Sequence, residues 1–305
     1  MDLKTVRHHL TGPLASIRVP FDRDSQIDEA GLRRHIDASI EGGSRSIILT
    51  AGNSHYHCLS DDEIMRVTRV TCEHTAKRAM VVAADRYHAT KHAVAFARQL
   101  KELGADILMC MPPTWGGSSP QNMAEHYAAV AKVMPVMIVT NVFHNLPVAF
   151  GLETIRLTLA KSNNVLAIKD DIGGTFAPRM CAEFHDRLAI FAGGTKEAHL
   201  KLLPFGCDGY MSIFVYLNAP HAARYWRAVE AADHETMRKI VFDCDAALFD
   251  FVSGFASGGN AGLHGLLELY GIAGRWRRKP STSASDEELE RLAEFLDERG
   301  LLPSS

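Results

Sequence analysis

The chain has 305 residues, of which 47% are hydrophobic and 23% are charged, a composition typical of globular proteins. A formal net charge of -3 argues against nucleic acid or an anionic membrane as a partner. No apolar run approaches the roughly 20 residues of a membrane span, and the first residues lack a signal-peptide core. Six scattered cysteines without a CxxC pair indicate reduced thiols, so we expect a cytoplasmic protein.

Short apolar segments alternate with amphipathic segments along the first two thirds of the chain. Strands are predicted at residues 14–19, 46–50, 80–84, 107–111, 136–139, 165–169, 188–192 and 209–213. Helices are predicted at residues 27–40, 61–77, 90–103, 121–133, 152–160, 177–184 and 197–203. Because strands buried on both faces read as continuous apolar runs, this alternation predicts a parallel sheet closed into a (β/α)8 TIM barrel. An open doubly wound sheet is the alternative, but no GxGxxG follows the first strand.

After about residue 219 the pattern becomes entirely helical. The predicted helices span residues 224–232, 235–251, 261–270 and 286–299. We therefore expect a barrel over residues 1–220 and a C-terminal helical extension over residues 221–305 that packs on it. The basic run at residues 275–279 is predicted to be a solvated surface segment.

Lys169 closes the sixth predicted strand and is the main candidate for a catalytic residue. Active sites of such barrels lie at the C-terminal ends of the strands, and we find only one lysine that ends a predicted strand. Partial desolvation disfavours the ammonium form, so a fraction of free amine is expected at neutral pH. A free amine can attack a carbonyl carbon and form a Schiff base, as in class I aldolases.

The order of motifs around this lysine resembles the dihydrodipicolinate synthase / N-acetylneuraminate lyase family over roughly residues 12 to 220. The resembling motifs are Val19-Pro20-Phe21, Leu59-Ser60 with Glu63, Asn141-Val142, Ile168-Lys169-Asp170, and Gly206, Gly209, Ser212, Asn218 and Pro220. In that family the lysine of the I-K-E/D motif forms an imine with a 2-oxo acid. The resemblance implies that Lys169 has this role, that the substrate is a small 2-oxo acid, and that the protein is a homotetramer or dimer.

The sequence also departs from the family at positions that matter for chemistry. The two loop threonines that hold the substrate carboxylate are replaced by Gly52 and Asn53, whose N–H groups are predicted to hold it instead. Two tyrosines of the family's proton relay are replaced by Thr114 and Thr140. The arginine that receives the carboxylate of the aldehyde partner falls at about Asn145, which is therefore predicted to contact the substrate. We therefore expect poor dihydrodipicolinate synthase activity.

The missing tyrosines require another proton carrier. His55 is predicted to be that carrier, because it fills the position of the family's loop glutamate and an imidazole titrates near neutral pH. Thr140 is predicted to assist, together with a histidine or an ordered water. Met211, in the last predicted strand, is a further candidate for substrate contact. We predict no cofactor and no metal ion, since the H-x-H motif lacks an accompanying carboxylate cluster.

These residues predict a class I Schiff-base lyase or aldolase that acts on pyruvate or a larger 2-oxo acid. Two alternatives stay open. One is a sugar-acid dehydratase that uses the same imine, because Ile168-Lys169-Asp170 before a glycine-rich turn also resembles the 5-dehydro-4-deoxyglucarate dehydratases. The other is a barrel that binds a 2-oxo acid without turnover, which the missing tyrosines favour and the retained lysine opposes.

Overall fold

The computed structural model of the chain describes residues 1–113 and 118–302. Within these residues, eight parallel strands pair in sequence order, and the first strand closes the barrel against the last. The strands are β1 (Gly12–Ser16), β2 (Ser46–Ile48), β3 (Met80–Ala84), β4 (Ile107–Cys110), β5 (Val136–Val139), β6 (Val165–Asp170), β7 (Ala189–Ala192) and β8 (Gly209–Met211). Nearly every strand residue is buried, as continuous apolar runs require. The predicted (β/α)8 barrel is therefore confirmed, and the open sheet is excluded.

In the described part of the chain, one helix precedes the first strand, and seven helices connect consecutive strands. They are α1 (Leu3–Leu10), α2 (Glu29–Glu41), α3 (Asp61–Thr75), α4 (Thr90–Glu102), α5 (Pro120–Ala131), α6 (Val148–Lys161), α7 (Phe176–Phe184) and α8 (Lys196–Leu202). Helix α1 precedes the first strand and was not predicted, because its eight residues are fewer than the roughly 11 to 18 over which a helical period is read, although Val6 and Leu10 lie on one face. Helix α3 begins with the capping box of Ser60 and Glu63 that the sequence indicates.

The chain after β8 is helical, as predicted. It contains α9 (Phe214–Leu217), α10 (Ala219–Glu230), α11 (His234–Lys239), α12 (Ala247–Ser253), α13 (Gly259–Leu269) and α14 (Asp286–Asp297). A π-helix at Ile240–Ala246 joins α11 to α12, so the predicted helix over residues 235–251 is one irregular helical stretch. None of the described helices is long and apolar enough to cross a membrane. The division of the chain at residue 220 stays a prediction.

The C-terminal helices pack against the barrel near the ends of its first and last strands. Their apolar core includes Leu248, Leu266 and Phe214, and it reaches Ala15 of β1. Arg278 of the basic run donates hydrogen bonds to both carboxylate oxygens of Glu63 on α3, at 2.7 and 2.8 Å. The Arg278 side chain is therefore held in an ion pair, and the prediction of a solvated surface segment is wrong at this position. The sequence did not indicate this pair because Glu63 lies 215 positions earlier in the chain.

Candidate active site

Lys169 lies buried near the end of β6, in register with Val139 of β5 and Phe191 of β7. Its amine is paired with both carboxylate oxygens of Asp171. The two residues are two positions apart in extended chain, so their side chains leave the backbone on the same side. The pairing places a proton acceptor directly beside the amine. The sequence analysis predicted the lysine but assigned Asp171 no catalytic role. Its position two residues after Lys169 could have indicated that the two side chains lie on the same side of the chain.

Gly193, immediately after β7, gives the amine the space it occupies. A Cβ atom built on this glycine would lie 2.7 Å from both Cε and Nζ of Lys169, and it would also collide with the Asp171 carboxylate. The backbone N–H of Gly193 donates to the Asp170 carbonyl oxygen at 2.7 Å, which holds the two strand ends together. A side chain at this position would therefore displace the Lys169–Asp171 pair.

A cavity of about 260 Å³ opens at the C-terminal mouth of the barrel around this pair. Its walls come from the C-terminal ends of β2, β4, β5, β6 and β7 and from the residues after them, and they include Gly52, Asn53, Met109, Asn141, Lys169, Asp171 and Gly193. The Asn53 backbone N–H donates to Thr50 Oγ1 and its side-chain amide donates to Ser16 Oγ, both at 3.0 Å. A Cβ atom built on Gly52 would meet no atom of another part of the chain within 4 Å, so a ligand can approach the backbone there. The structure thus brings the predicted carboxylate loop and Lys169 to one cavity.

Thr140 lies beneath this cavity rather than in its wall. Its hydroxyl donates to Asp170 Oδ1 at 2.8 Å and accepts from the Asp171 backbone N–H at 2.8 Å. Burial raises the pKa of Asp170, whose carboxylate also accepts from the Gly173 backbone N–H at 3.0 Å. The Thr140 hydroxyl is therefore committed to shaping the turn that presents Asp171. This placement supports a positioning role and not the proton-handling role expected from the sequence.

His55 does not meet Lys169. It is 3% exposed, and its Nε2 lies 2.6 Å from Nε2 of His264 on α13, so it contacts the C-terminal helices. Burial, reinforced by the charges of Arg277 and Arg18, lowers the pKa of His55 to about 3. An imidazole that stays neutral throughout the physiological range and faces another buried histidine does not match the predicted proton carrier. The geometry therefore gives no support to a role of His55 in proton transfer at Lys169.

The buried state of His55 has a consequence for acid stability. Its folded pKa of about 3 lies below the usual value near 6.5, so the unfolded chain binds more protons between these limits. The stabilisation is present above pH 6.5 and is lost as the pH falls toward 3. Between pH 6.5 and 5.5 the free energy of unfolding should fall less in the His55→Gln variant than in the parent, by about 1 kcal/mol.

Urea unfolding at the two pH values measures this difference. His57→Gln is the matched control, because His57 is exposed and adjacent in the sequence. The control should show the pH dependence of the parent. Equal pH dependence of the His55 variant and the parent would contradict the assignment of a neutral, buried imidazole.

Two further predicted site residues, Asn145 and Met211, do not line the cavity around Lys169. Asn145 is exposed, has a φ of +66°, and lines a separate depression beside α6 and not the Lys169 cavity. Met211 is buried at the end of β8 and lines a neighbouring cavity. Thr114 lies outside the described residues. Asn145 is therefore not brought together with Lys169, and its predicted contact with the substrate receives no support from the geometry.

A second buried lysine, Lys196, stands at the start of α8 and was overlooked in the sequence. Its Nζ donates to Asp245 Oδ1 at 2.6 Å and to Oδ2 at 2.8 Å, and His221 Nε2 lies 3.1 Å from the same carboxylate. Burial lowers the pKa of Lys196, and the Asp245 charge opposes this. Asp245 belongs to the π-helix, 49 residues further along the chain, so no local pattern indicates the pair.

Comparison with known proteins places the chain in a family. Residues 9–299 match the model of the dihydrodipicolinate synthetase family. The 4-hydroxy-tetrahydrodipicolinate synthase of Neisseria gonorrhoeae is 30% identical over 213 residues, 69% of this chain and 72% of the relative. The enzyme of the same name from Chloroherpeton thalassium is 26% identical over 239 residues, 77% of this chain and 78% of the relative.

A solved structure agrees in fold. The N-acetylneuraminate lyase of Mycoplasma synoviae superposes with a TM-score of 0.81 at 22% identity, covering 96% of this chain and 99% of that chain. At this level of identity the likeness shows the fold, and the family assignment rests on the sequence matches. The chain belongs to the dihydrodipicolinate synthetase family, and it is a lyase.

Proposed function

We propose that this protein is a Schiff-base lyase that acts on pyruvate or a larger 2-oxo acid through an imine on Lys169. The observation that carries the proposal is the buried amine of Lys169. It is paired with Asp171, and both residues line a cavity at the barrel mouth. The backbone around Gly52 and the side chain of Asn53 line the same cavity and supply N–H groups for the carboxylate of the 2-oxo acid.

The geometry supports a balanced sequence of proton transfers. Asp171 takes a proton from the Lys169 ammonium, and the free amine attacks C2 of the 2-oxo acid to give a carbinolamine. The Asp171 carboxyl then returns the proton to the departing hydroxyl, water leaves, and a protonated imine remains opposite the Asp171 carboxylate. The imine draws electrons from C3, so a C3–H or C3–C4 bond can break to give an enamine. Thr140 and Gly193 keep the pair in position.

A sugar-acid dehydratase that uses the same imine is the second candidate. It is favoured by the polar walls of the adjoining cavity, to which Ser16, Ser212 and Asn260 contribute. The two candidates differ in their products, because dehydration keeps the carbon chain whole and aldol cleavage releases a shorter 2-oxo acid. Binding without turnover, the third alternative from the sequence, is disfavoured because the chain belongs to a family of lyases.

The proposal is tested by trapping the imine. We expect borohydride reduction in the presence of pyruvate to add the reduced three-carbon unit to Lys169, mapped by peptide mass spectrometry. We also expect the protein to catalyse exchange of the pyruvate methyl protons with deuterium oxide, which follows from the enamine and needs no knowledge of the second substrate.

Lys196 serves as the internal control in this experiment, since it is a buried lysine at the same end of the barrel. Its amine is paired with Asp245, whose carboxylate also contacts His221, and it does not line the cavity around Lys169. An adduct on Lys196, or no adduct and no exchange, would overturn the proposed mechanism.

A further inference from the structure

A second cavity, of about 230 Å³, adjoins the one around Lys169. Asn53 and Gly193 line both cavities, so a ligand attached to Lys169 can extend from one into the other. The far walls come from two parts of the chain. The barrel contributes residues of β1, β8 and the segments that follow them, including Ser16, Arg18, Met211 and Ser212. The C-terminal helices contribute Asp245, Asn260 and Leu263.

Arg18 carries a buried charge that faces this cavity without an acidic partner. Only 4% of the surface of Arg18 is exposed. Its Nη1 has one long hydrogen bond, 3.4 Å to Asn260 Oδ1, and its Nε has none. No carboxylate of the described residues lies within ion-pair distance of it. A buried guanidinium is costly unless an anion and hydrogen-bond acceptors satisfy it, so this arrangement is incomplete without one.

The surrounding residues do not neutralise Arg18. Asp245 is the acidic residue of the cavity wall, and its carboxylate is already engaged by Lys196 and His221. Arg277 adds a second positive charge nearby, and burial together with the charge of Arg18 lowers the pKa of Arg277. The region around Arg18 therefore keeps a net positive charge.

Two hydroxyl groups complete a polar wall beside Arg18. Ser16 Oγ accepts from the Asn53 side-chain amide at 3.0 Å, and Ser212 Oγ accepts from the Phe214 backbone N–H at 3.3 Å. Neither hydroxyl hydrogen has an acceptor among the described residues, so both are available as donors. The N–H groups of a guanidinium and two hydroxyl donors together match the hydrogen-bond acceptors of a planar carboxylate.

We propose that this cavity binds a second carboxylate of the substrate, at the end remote from the carbonyl group, through Arg18. The inference rests on the proposed function and narrows it, because the preferred substrates become 2-oxo diacids. One end of the diacid lies on the Gly52–Asn53 loop with its carbonyl carbon at Lys169. The other end reaches Arg18, where it satisfies a charge that the protein leaves unpaired.

The test compares matched ligands on the unmodified protein. Each 2-oxo diacid is paired with the monoacid of equal chain length, namely 2-oxoglutarate with 2-oxopentanoate, 2-oxoadipate with 2-oxohexanoate, and 2-oxopimelate with 2-oxoheptanoate. The measured quantity is the concentration that gives half-maximal borohydride trapping on Lys169. We expect the diacid to require at least tenfold less ligand in one or more pairs. Equal values in all three pairs would overturn the proposal.

An Arg18→Gln variant tests the residue itself. We expect the ratio between diacid and monoacid to fall to about one in this variant, and to stay at the parental value in Arg98→Gln, which removes an exposed arginine from α4. A parental ratio in the Arg18 variant would overturn the role of Arg18. Should Arg18→Gln not fold, the three pairs on the parent protein decide the question alone.

The same design separates this proposal from the proposed function. Trapping of pyruvate and of all six ligands without a diacid preference would overturn only the carboxylate subsite. No trapping of any 2-oxo acid would overturn the imine mechanism. In that case thermal stabilisation by adipate, compared with hexanoate, measures the Arg18 site without an imine, and equal stabilisation would overturn the subsite as well.

Discussion

The Asp171→Asn variant is expected to exchange the pyruvate methyl protons more slowly than the parent, by on the order of 10²- to 10⁴-fold. The reason is the contact between Asp171 and the Lys169 amine. An amide cannot accept the ammonium proton or return it to the departing hydroxyl, so both steps of imine formation lose their proton carrier. The measurement is deuterium incorporation into pyruvate, followed by nuclear magnetic resonance.

Asp186→Asn is the control for this change, because Asp186 is an exposed carboxylate on the loop before β7 and has no contact with Lys169. The control should exchange protons at the parental rate. Parental exchange by Asp171→Asn would mean that water or the substrate's own carboxylate carries the proton, and the proposed role of Asp171 would fail.

Replacing Gly193 by alanine is expected to lower the same exchange rate by about 10²-fold, since a displacement of about 1 Å at a catalytic group can cost that much. The added methyl group would stand 2.7 Å from Lys169 Nζ and collide with the Asp171 carboxylate. The pair must separate or rotate, and the amine then leaves the position from which it can attack a carbonyl carbon.

The neighbouring residue provides a matched control for this prediction. A Cβ atom at Gly194 meets no other atom within 4 Å, so Gly194→Ala makes the same chemical change one residue away in open space. Gly194→Ala should keep the exchange rate within a few-fold of the parent. Equal rates in the two variants would show that the space at Gly193 is not needed for catalysis. Thermal unfolding of both variants separates a loss of fold from a loss of activity.

Sequence reasoning found the barrel because the fold depends on a repeated local pattern. Each unit pairs an apolar run with an amphipathic helix, and eight such units leave few other arrangements. Lys169 was found for a similar reason, since its place at the end of a strand follows from the preceding apolar residues. Helix α1 was missed because it is only eight residues long, although Val6 and Leu10 lie on one face of it.

The partners of the site residues were harder to predict because they depend on side-chain direction and on contacts distant in the sequence. His55 follows β2 on a loop that does reach the barrel mouth, yet its ring turns to His264, 209 residues away along the chain. Asp245 lies in the predicted helix over residues 235–251, but its contact with Lys196 joins positions 49 residues apart in the sequence. Arg18 was part of a predicted strand, but its missing partner is visible only once every neighbour has been placed.

The division of the cavity walls between barrel and C-terminal helices affects how this protein can change during evolution. The residues around Lys169 come from strand ends that also hold the barrel together, so substitutions there disturb both folding and imine formation. The Asn260 and Leu263 side chains instead belong to α13, outside the barrel strands. Substitutions on that helix can alter the length and polarity of the accepted substrate while the strand ends stay unchanged. Laboratory selection for new substrates should therefore accumulate changes in residues 245–263 before it changes the strands.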